Sequence, residues 1–173
     1  MFLELIATII AGVGAAGVVL AANRLTGRRL PRWLMPIGAA LAMILMTIWS
    51  EYTWYDRTVA TLPAGLDVAE VNEARQMMRP WTFAVPLKDR FLAIDTQRMK
   101  TNPALPGQHI AEVYALGRWQ PVRQFPVLID CDGSRRAALG SDTEFGPDGS
   151  VGDAAWTEVP ASDPLLATAC TRS

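Results

Sequence analysis

The chain has 173 residues, of which 50% are hydrophobic, and its formal net charge at pH 7 is −1. A chain of this length accommodates one domain of ordinary size and a short additional segment. Its net charge gives no indication of the basic surface expected of a nucleic-acid-binding protein, and the chain is not acidic enough to be disordered.

Two long apolar stretches, Phe2–Ala22 and Trp33–Trp49, open the chain. About 20 largely apolar residues in a helix cross the hydrocarbon core of a bilayer, which is about 30 Å thick. Glu4 is the one charge in these stretches, and it lies close enough to a helix end to sit among headgroups. We therefore predict two membrane-spanning helices, at about residues 2–22 and 33–52, which form an anchor over residues 1–55.

Two alternatives to this anchor remain open. One is a buried helical hairpin in a soluble protein. The other is a cleaved signal peptide at the first stretch, which would begin with a basic region. This chain begins Met1-Phe2-Leu3-Glu4, so we expect the first stretch to stay in the mature protein.

The orientation of the predicted anchor follows from its connector, residues 23–32. Short loops rich in Lys and Arg stay in the cytoplasm, and every charge in this connector is positive. Both termini are then expected on the other side of the membrane, which is the periplasm in a bacterium. Aromatic rings that collect at membrane–water boundaries flank the second stretch. The residues that set the topology are Arg24, Arg28, Arg29 and Arg32, and the boundary aromatics are Trp33, Trp49, Tyr52, Trp54 and Tyr55.

Residues 12–17 match the G-x-G-x-x-G pattern of dinucleotide-binding proteins. The match is informative only inside a strand–helix–strand unit, and here another long apolar stretch follows. Small residues on one face let a neighbouring helix approach closely in lipid. We therefore interpret Gly12, Ala16, Gly17 and Ala21 as a helix-packing face, directed at the second helix, another copy of the chain or a larger membrane protein.

The remaining residues, 56–173, are predicted to form one periplasmic α+β domain, an antiparallel sheet followed by a C-terminal helix. Leu66–Glu73 is predicted as a strand, with a short helix over Val68–Met78 as the alternative. Pro121 and Pro126 indicate an edge or bent strand, because proline cannot donate to a ladder. Further predicted elements, in chain order, are an irregular aromatic segment at Arg79–Pro86, a strand at Phe91–Asp95, a loop at Thr101–Gly107, strands at Ile110–Leu116, Trp119–Asp130, Arg135–Leu139 and Thr143–Phe145, a turn at Phe145–Val151, an extended segment at Trp156–Val159, and a helix with Asp163 as N-cap and Pro164 at its first position.

The chain has two cysteines, Cys131 and Cys170, both in the predicted exported domain. An even count in an oxidising compartment favours a disulfide, which would tie the end of the C-terminal helix to the sheet. Two free buried thiols are the alternative. No nearby His or third Cys completes a metal site with this pair.

Candidate catalytic and metal-binding residues are few. His109 is the single histidine, and without a paired Cys or nearby acid it is expected to be a surface residue. Asp130-Cys131-Asp132-Gly133 begins like a calcium loop, but an EF-hand needs Gly at its sixth position and Glu at its twelfth, where this chain has Arg135 and Ser141. No Gly-x-Ser-x-Gly nucleophile elbow occurs. We predict no catalytic, cofactor or metal site, with a calcium site among turn carboxylates as the alternative.

Seven aromatic residues of the domain form either a packed core or an exposed binding face. A domain this small needs its large apolar side chains inside, so we expect the core. We also expect the two aromatics nearest residue 80 to cover its membrane-facing end. The seven are Trp81, Phe83, Phe91, Trp119, Phe125, Phe145 and Trp156.

Several short motifs between residues 91 and 170 carry a resemblance when they are taken together. They are Ile94-Asp95, Ile129-Asp130-Cys131 followed by Arg135-Arg136, the turn Pro147-Asp148-Gly149, Trp156, and Asp163 with Cys170. The set resembles the surface-adhesin protein E type of domain, which is found in small exported bacterial proteins. The resemblance implies an antiparallel sheet, a C-terminal helix pinned by Cys131–Cys170, and a non-enzymatic, protein-binding role. Surface adhesins reach the cell exterior through a lipidated N-terminus, whereas this chain has two predicted helices and no cysteine near its start.

Together these observations predict a non-catalytic protein of the bacterial inner membrane with a periplasmic interaction domain. It would act as an accessory subunit or binding partner of a larger membrane or envelope complex. The expected partners are the lipid bilayer and another membrane or envelope protein, or a second copy, with no cofactor and no nucleic acid. The alternatives are a ligand-binding or sensing module with a pocket between sheet and C-terminal helix, a cell-surface adhesin, and an envelope enzyme.

Overall fold

A computed structural model gives the fold of the chain and describes residues 2–140, 143, 145–146, 149–152 and 154–171. The chain divides into two compact units, Met1–Arg57 and Thr58–Ser173. The first unit contains two long apolar helices. The second contains an antiparallel sheet and a short C-terminal helix. The predicted α+β fold is therefore confirmed.

The two helices are α1, Phe2–Leu25, and α2, Leu34–Ala60. Both are long and apolar enough to cross a membrane. Helix α2 ends eight residues later than predicted, because residues 53–60 contain neither Gly nor Pro and nothing breaks the helix before Pro63. The last part of α2 is more polar than its first part and includes Asp56 and Arg57.

The chain turns tightly between the two helices. Gly27 has a positive φ of 68°, a conformation that glycine adopts without steric cost. The Arg28 N–H then donates to the Asn23 carbonyl at 2.7 Å, and the Leu30 N–H donates to the Asn23 side-chain oxygen at 3.0 Å. The first bond satisfies the Asn23 carbonyl, one of the last carbonyls of α1 that have no partner within the helix. The second holds the turn against the end of α1.

Glycine lets the two helices approach each other closely. Gly12 is buried, and a Cβ added there would lie 2.8 Å from Met43 Cγ. A Cβ added at Gly38 of α2 would lie 3.0 Å from Val19 Cγ2. Each helix therefore has a glycine where a side chain of the other one packs.

Polar side chains join the two helices near the start of α1. Ser50 Oγ donates to Glu4 Oε1 at 3.0 Å, and the Arg57 guanidinium lies 3.6 Å from the same carboxylate. Arg57 also donates to the Ser50 carbonyl at 3.2 Å. The carboxylate predicted to sit among headgroups is thus paired with a cation within its own unit.

The described residues of the second unit form a seven-stranded antiparallel sheet in the order β1-β2-β4-β5-β6-β7, with β3 beside the start of β4. A 3₁₀ helix, Pro80–Phe83, lies in the connection between β1 and β2. The strands are β1 Leu66–Ala74, β2 Leu87–Asp95, β3 Lys100–Asn102, β4 Leu105–Gly117, β5 Gln120–Asp130, β6 Arg135–Ala138 and β7 Thr157–Glu158.

The C-terminal helix α3, Pro164–Cys170, packs against the sheet. It begins as predicted, because Asp163 Oδ1 accepts a hydrogen bond from the Leu166 N–H at 3.1 Å and Pro164 occupies the first turn. The main core contains Ile94, Ala111, Val113, Val127, Ile129, Leu165, Leu166 and Ala169. A second, smaller core contains Leu128, Ala137, Leu139 and Val151.

Several predicted elements need correction. Residues 66–74 form a strand, so the alternative helix over Val68–Met78 is wrong. The predicted loop Thr101–Gly107 is instead a tight hairpin of β3 and β4. The prediction of an edge or bent strand at Pro121 and Pro126 is confirmed: residues 120–126 of β5 pair with β4 alone, with an irregularity before Arg123, whereas Val127–Asp130 have neighbours on both sides. The predicted strand at 143–145 and turn at 145–151 include residues 144, 147 and 148, which lie outside the described residues, while Phe145 forms an isolated bridge with Val151.

Candidate functional site

The predicted helix-packing face of α1 divides into two parts. Gly12 is buried against α2 and Ala16 is partly buried. Gly17 and Ala21 are exposed, and no described atom of α2 lies within 4 Å of a Cβ added at Gly17. The second helix therefore covers only the Gly12 side of this face.

The other predicted anchor residues lie at the ends of the helices. Arg24 lies in the last turn of α1, and the other three arginines follow it in the exposed turn before α2. Trp33 precedes α2 and is exposed, as is Trp49 within it. Tyr52, Trp54 and Tyr55 are partly buried in α2.

Cys131 and Cys170 form a disulfide, with the two Cα atoms 5.9 Å apart. It joins the end of β5 to the last residue of α3. Both cysteines pack against the main core. The bond closes the domain and leaves no free thiol for chemistry.

The turn after β5 is held by Asp130. Its carboxylate accepts from the Gly133 N–H at 3.0 Å and from Arg135 Nε at 2.8 Å. Arg135 also lies over the Trp156 ring, 4.4 Å from its centroid. Burial raises the pKa of Asp130, but the hydrogen bonds and the Arg135 charge outweigh burial and the pKa lies below its ordinary value. These contacts stabilise the turn after β5.

His109 is buried, with 4% of its surface exposed, so the prediction of a surface residue is wrong. The alternation of β4 places it on the same face as Ala111 and Val113, between Thr101 and Ile129 of the neighbouring strands. No described residue makes a hydrogen bond to its Nδ1 atom. Its burial in the sheet keeps a substrate from reaching the imidazole. In the described residues, no group of three or more His, Cys, Asp or Glu could hold a metal ion.

The seven aromatic residues divide between core and surface. Phe91 is buried, and Phe125 and Trp156 pack against the two cores. The expectation that all seven lie in the core is wrong, because the other four are exposed: Trp81, Phe83, Trp119 and Phe145.

The connection between β1 and β2, residues 75–86, is held in one conformation by its own hydrogen bonds. Thr82 is fully buried. Its hydroxyl accepts from the Gln76 N–H at 2.9 Å and donates to the Arg79 carbonyl at 2.7 Å. The Arg79 N–H closes a turn onto the Gln76 carbonyl at 2.9 Å. Met77 and Met78, at the corner of that turn, have 89% and 91% of their surface exposed.

The same connection exposes three more large apolar side chains. The 3₁₀ turn directs Thr82 inward, and Trp81 and Phe83 on either side of it are exposed, as is Val85. They do not cover the end of a core, as was expected from the sequence. Scattered exposed apolar residues are ordinary, whereas five within the nine residues 77–85 make this connection a candidate interaction surface.

The turn between β4 and β5 lies beside this connection. The Arg118 N–H donates to the Asp89 carbonyl at 3.0 Å, and the Arg118 guanidinium lies 5.0 Å from the centroid of the exposed Trp119 ring. A cleft of about 130 Å³ separates the two segments and is lined by Gln76, Arg79, Leu87, Asp89, Arg118 and Trp119. We call residues 73–90 together with residues 115–123 the tip.

A larger cavity, of about 320 Å³, overlaps the tip at residues such as Arg90 and Arg123 and extends over strands β1, β2, β4 and β5. By strand alternation Leu92 and Ala115 lie on the same face as Ile94 and Val113, which α3 covers further along the sheet. Polar groups surround this apolar floor. The main lining residues are Glu70, Asn72, Arg90, Leu92, Ala115 and Arg123.

Comparison of the chain with protein-family models, with curated proteins and with solved structures gives no match. The geometry of the tip and the helices is therefore the basis for inferring function. Sequence reasoning did not single out Met77 and Met78. The available signal was a pair of adjacent methionines between Arg75 and Arg79, which fits neither a strand nor a helix with one buried face.

Proposed function

We propose that the chain is a non-catalytic protein of the bacterial inner membrane, and that its periplasmic domain binds another membrane or envelope protein as an accessory subunit. The proposal rests on the exposed apolar side chains of the tip. A domain with two buried cores keeps five large apolar side chains of one short connection exposed, and a partner surface is the usual reason for such a patch.

Three features support a membrane anchor of this orientation. Trp33 and Trp49 are separated by 16 residues, or about 24 Å of helix, which suits the two boundaries of a bilayer. Every charged residue of the connector between the helices is an arginine, and short loops of this kind stay in the cytoplasm. The disulfide suits an oxidising compartment such as the periplasm. The resemblance to surface-adhesin protein E domains also supports a protein-binding role.

The free edge of the sheet is a weaker candidate for binding than the tip. Strand β1 is the outermost strand next to β2 and has irregularities between Val68 and Glu70 and between Asn72 and Glu73. Bulges and charged side chains discourage an incoming strand from pairing with such an edge. The exposed Gly17 side of α1 remains a second candidate surface, within the bilayer.

A ligand-binding or sensing module is the second candidate function, because of the cavity over Leu92 and Ala115. Its volume and mixture of apolar floor and polar rim suit a small molecule. The space between α3 and the sheet, where we expected a pocket, is filled by Leu165, Leu166 and Ala169.

Purification of the tagged full chain in mild detergent, followed by mass spectrometry, tests the first proposal. A stoichiometric protein partner is the expected result, and a chain that purifies alone or only with itself would contradict it. Native mass spectrometry of wild type and the cavity-filling variant Leu92→Trp, which lies outside the tip, tests the second candidate function. A small-molecule adduct lost in that variant would favour ligand binding. Reporter fusions at Ser173 test the orientation, and a cytoplasmic C-terminus would overturn it.

A further inference from the structure

The tip differs in charge from the rest of its domain. It contains the acids Glu73 and Asp89 and six basic residues, so its formal charge is +4. The rest of residues 58–173 contains five basic and twelve acidic residues, a formal charge of −7. A surface with this contrast attracts and orients a negatively charged partner. The six basic residues are Arg75, Arg79, Lys88, Arg90, Arg118 and Arg123.

The exposed apolar residues of the tip are of the types that form the centres of protein interfaces. Trp, Phe, Met and Arg are enriched there, whereas Lys and acidic residues are depleted. Met77 and Met78 add polarisable side chains that adapt to an irregular surface. Trp81, Phe83 and Trp119 supply large rigid contact areas.

The tip is organised before any partner binds. The hydroxyl of the buried Thr82 is bonded on both sides of the Gln76–Arg79 turn. The Arg118 N–H joins the second segment of the tip to Asp89 of β2. A surface already fixed in one conformation loses less entropy on binding, which favours affinity.

An acidic protein segment suits this surface better than a second tip, because the six basic residues of the tip outnumber its two acids. Two tips facing each other would bring together two surfaces of the same sign, which is unfavourable.

From these observations we propose that the tip binds an acidic segment of the partner protein, with the exposed Arg75 and Arg123 contacting its carboxylates and the exposed apolar residues of the tip contacting its apolar side chains. This inference rests on the proposed function, because it names the chemistry of the partner for the same interaction domain.

Photo-crosslinking in the host cell tests the inference on the full chain. A photoreactive amino acid replaces Met78 in one strain. In a second strain it replaces the exposed Arg98, which follows β2 at the other end of the sheet. The expected result is one protein adduct at position 78, joined through an acidic peptide, and about tenfold less adduct in Arg75→Glu/Arg123→Glu. The matched reversal Arg98→Glu/Lys100→Glu should leave the yield unchanged.

The variant Thr82→Val tests whether the Thr82 hydroxyl holds the Gln76–Arg79 turn in place, because it keeps the side-chain shape and removes the hydroxyl. Lower adduct yield at position 78, with the disulfide still formed on a non-reducing gel, is the expected result. An unchanged yield would show that the turn does not need this hydroxyl to present the tip.

Four outcomes would overturn the inference: an adduct with lipid, an adduct with a second copy of the chain, an equal yield at position 98, or no adduct at position 78. An undiminished yield in Arg75→Glu/Arg123→Glu would overturn the acidic chemistry. Co-purification distinguishes failure of the tip inference from failure of the proposed accessory-subunit function. If the charge-reversed variant still purifies with a stoichiometric partner, the tip inference fails and the accessory-subunit proposal stands. If wild type purifies alone, the proposed function itself fails.

Discussion

Removing the Cys131–Cys170 bond should lower the stability of the domain by about 4 kcal/mol. The two cysteines are 39 residues apart in sequence, and closing a loop of that length reduces the entropy of the unfolded chain by about this free energy. Helix α3 has only seven residues, too few to be stable alone. Without the bond, the packing of α3 on the sheet depends on the burial of Leu165 and Leu166 in its first turn, each of which contributes about 1.5–3 kcal/mol.

The measurement is pulse proteolysis of the full chain in detergent over a series of urea concentrations. With a urea dependence of about 2 kcal/mol per molar, the midpoint of the domain should fall by about 2 M in the variant Cys131→Ser/Cys170→Ser. Wild type treated with a reductant is the matched control, since it keeps both sulfur atoms in the core. If the midpoints of oxidised wild type, reduced wild type and the double variant coincide, the bond does not close this domain and the reasoning fails.

Three further predictions concern other contacts. Asp163→Ala should cost about 1 kcal/mol in urea unfolding, because it removes the cap of α3 and the ion pair with Arg136, whereas Thr168→Ala, at a partly exposed position of α3, should change the midpoint little. The pKa of Asp130 is lower in the folded chain, so its stabilising contribution is present above the unfolded-state pKa and is lost as pH falls below about 4; Asp130→Asn should be less stable than wild type at pH 7 and lose less on acidification, and parallel pH profiles would contradict this. Gly12→Leu should lower the thermal midpoint of the detergent-solubilised chain, since its side chain would collide with Met43, while Gly17→Leu should not; equal effects would place the helix contact elsewhere.

Much of the fold was readable from local sequence. The two helices followed from uninterrupted apolar length, and the start of α3 followed from Asp163-Pro164, because a capping carboxylate and a proline at the first position act over a few residues. The disulfide followed from the cysteine count and the expected compartment. The strands were found where alternation was clear, and their bounds shifted by a few residues because neighbouring strands extend a ladder past the local pattern.

The candidate site was less predictable from the sequence. Aromatic residues were expected inside because a small domain needs apolar volume, yet Trp81, Phe83 and Trp119 are exposed. Burial of Thr82 accounts for the exposure of its two neighbours, Trp81 and Phe83, and its hydroxyl finds partners only once residues 76 and 79 are brought together by the turn. His109 shows the reverse case, since its burial depends on strands β3 and β5 pairing on both sides of β4.

By itself the sequence determined that two apolar helices precede an α+β domain, and that one disulfide is available to close it, because length, periodicity and cysteine count act locally or through composition. Only the tertiary structure decided which side of α1 is covered by α2 and which apolar residues remain exposed. It also gathered six basic residues from two distant segments, 75–90 and 118–123, onto one end of the sheet. That surface exists because antiparallel pairing of β2 with β4 brings a connection and a turn together that are about 30 residues apart in the chain.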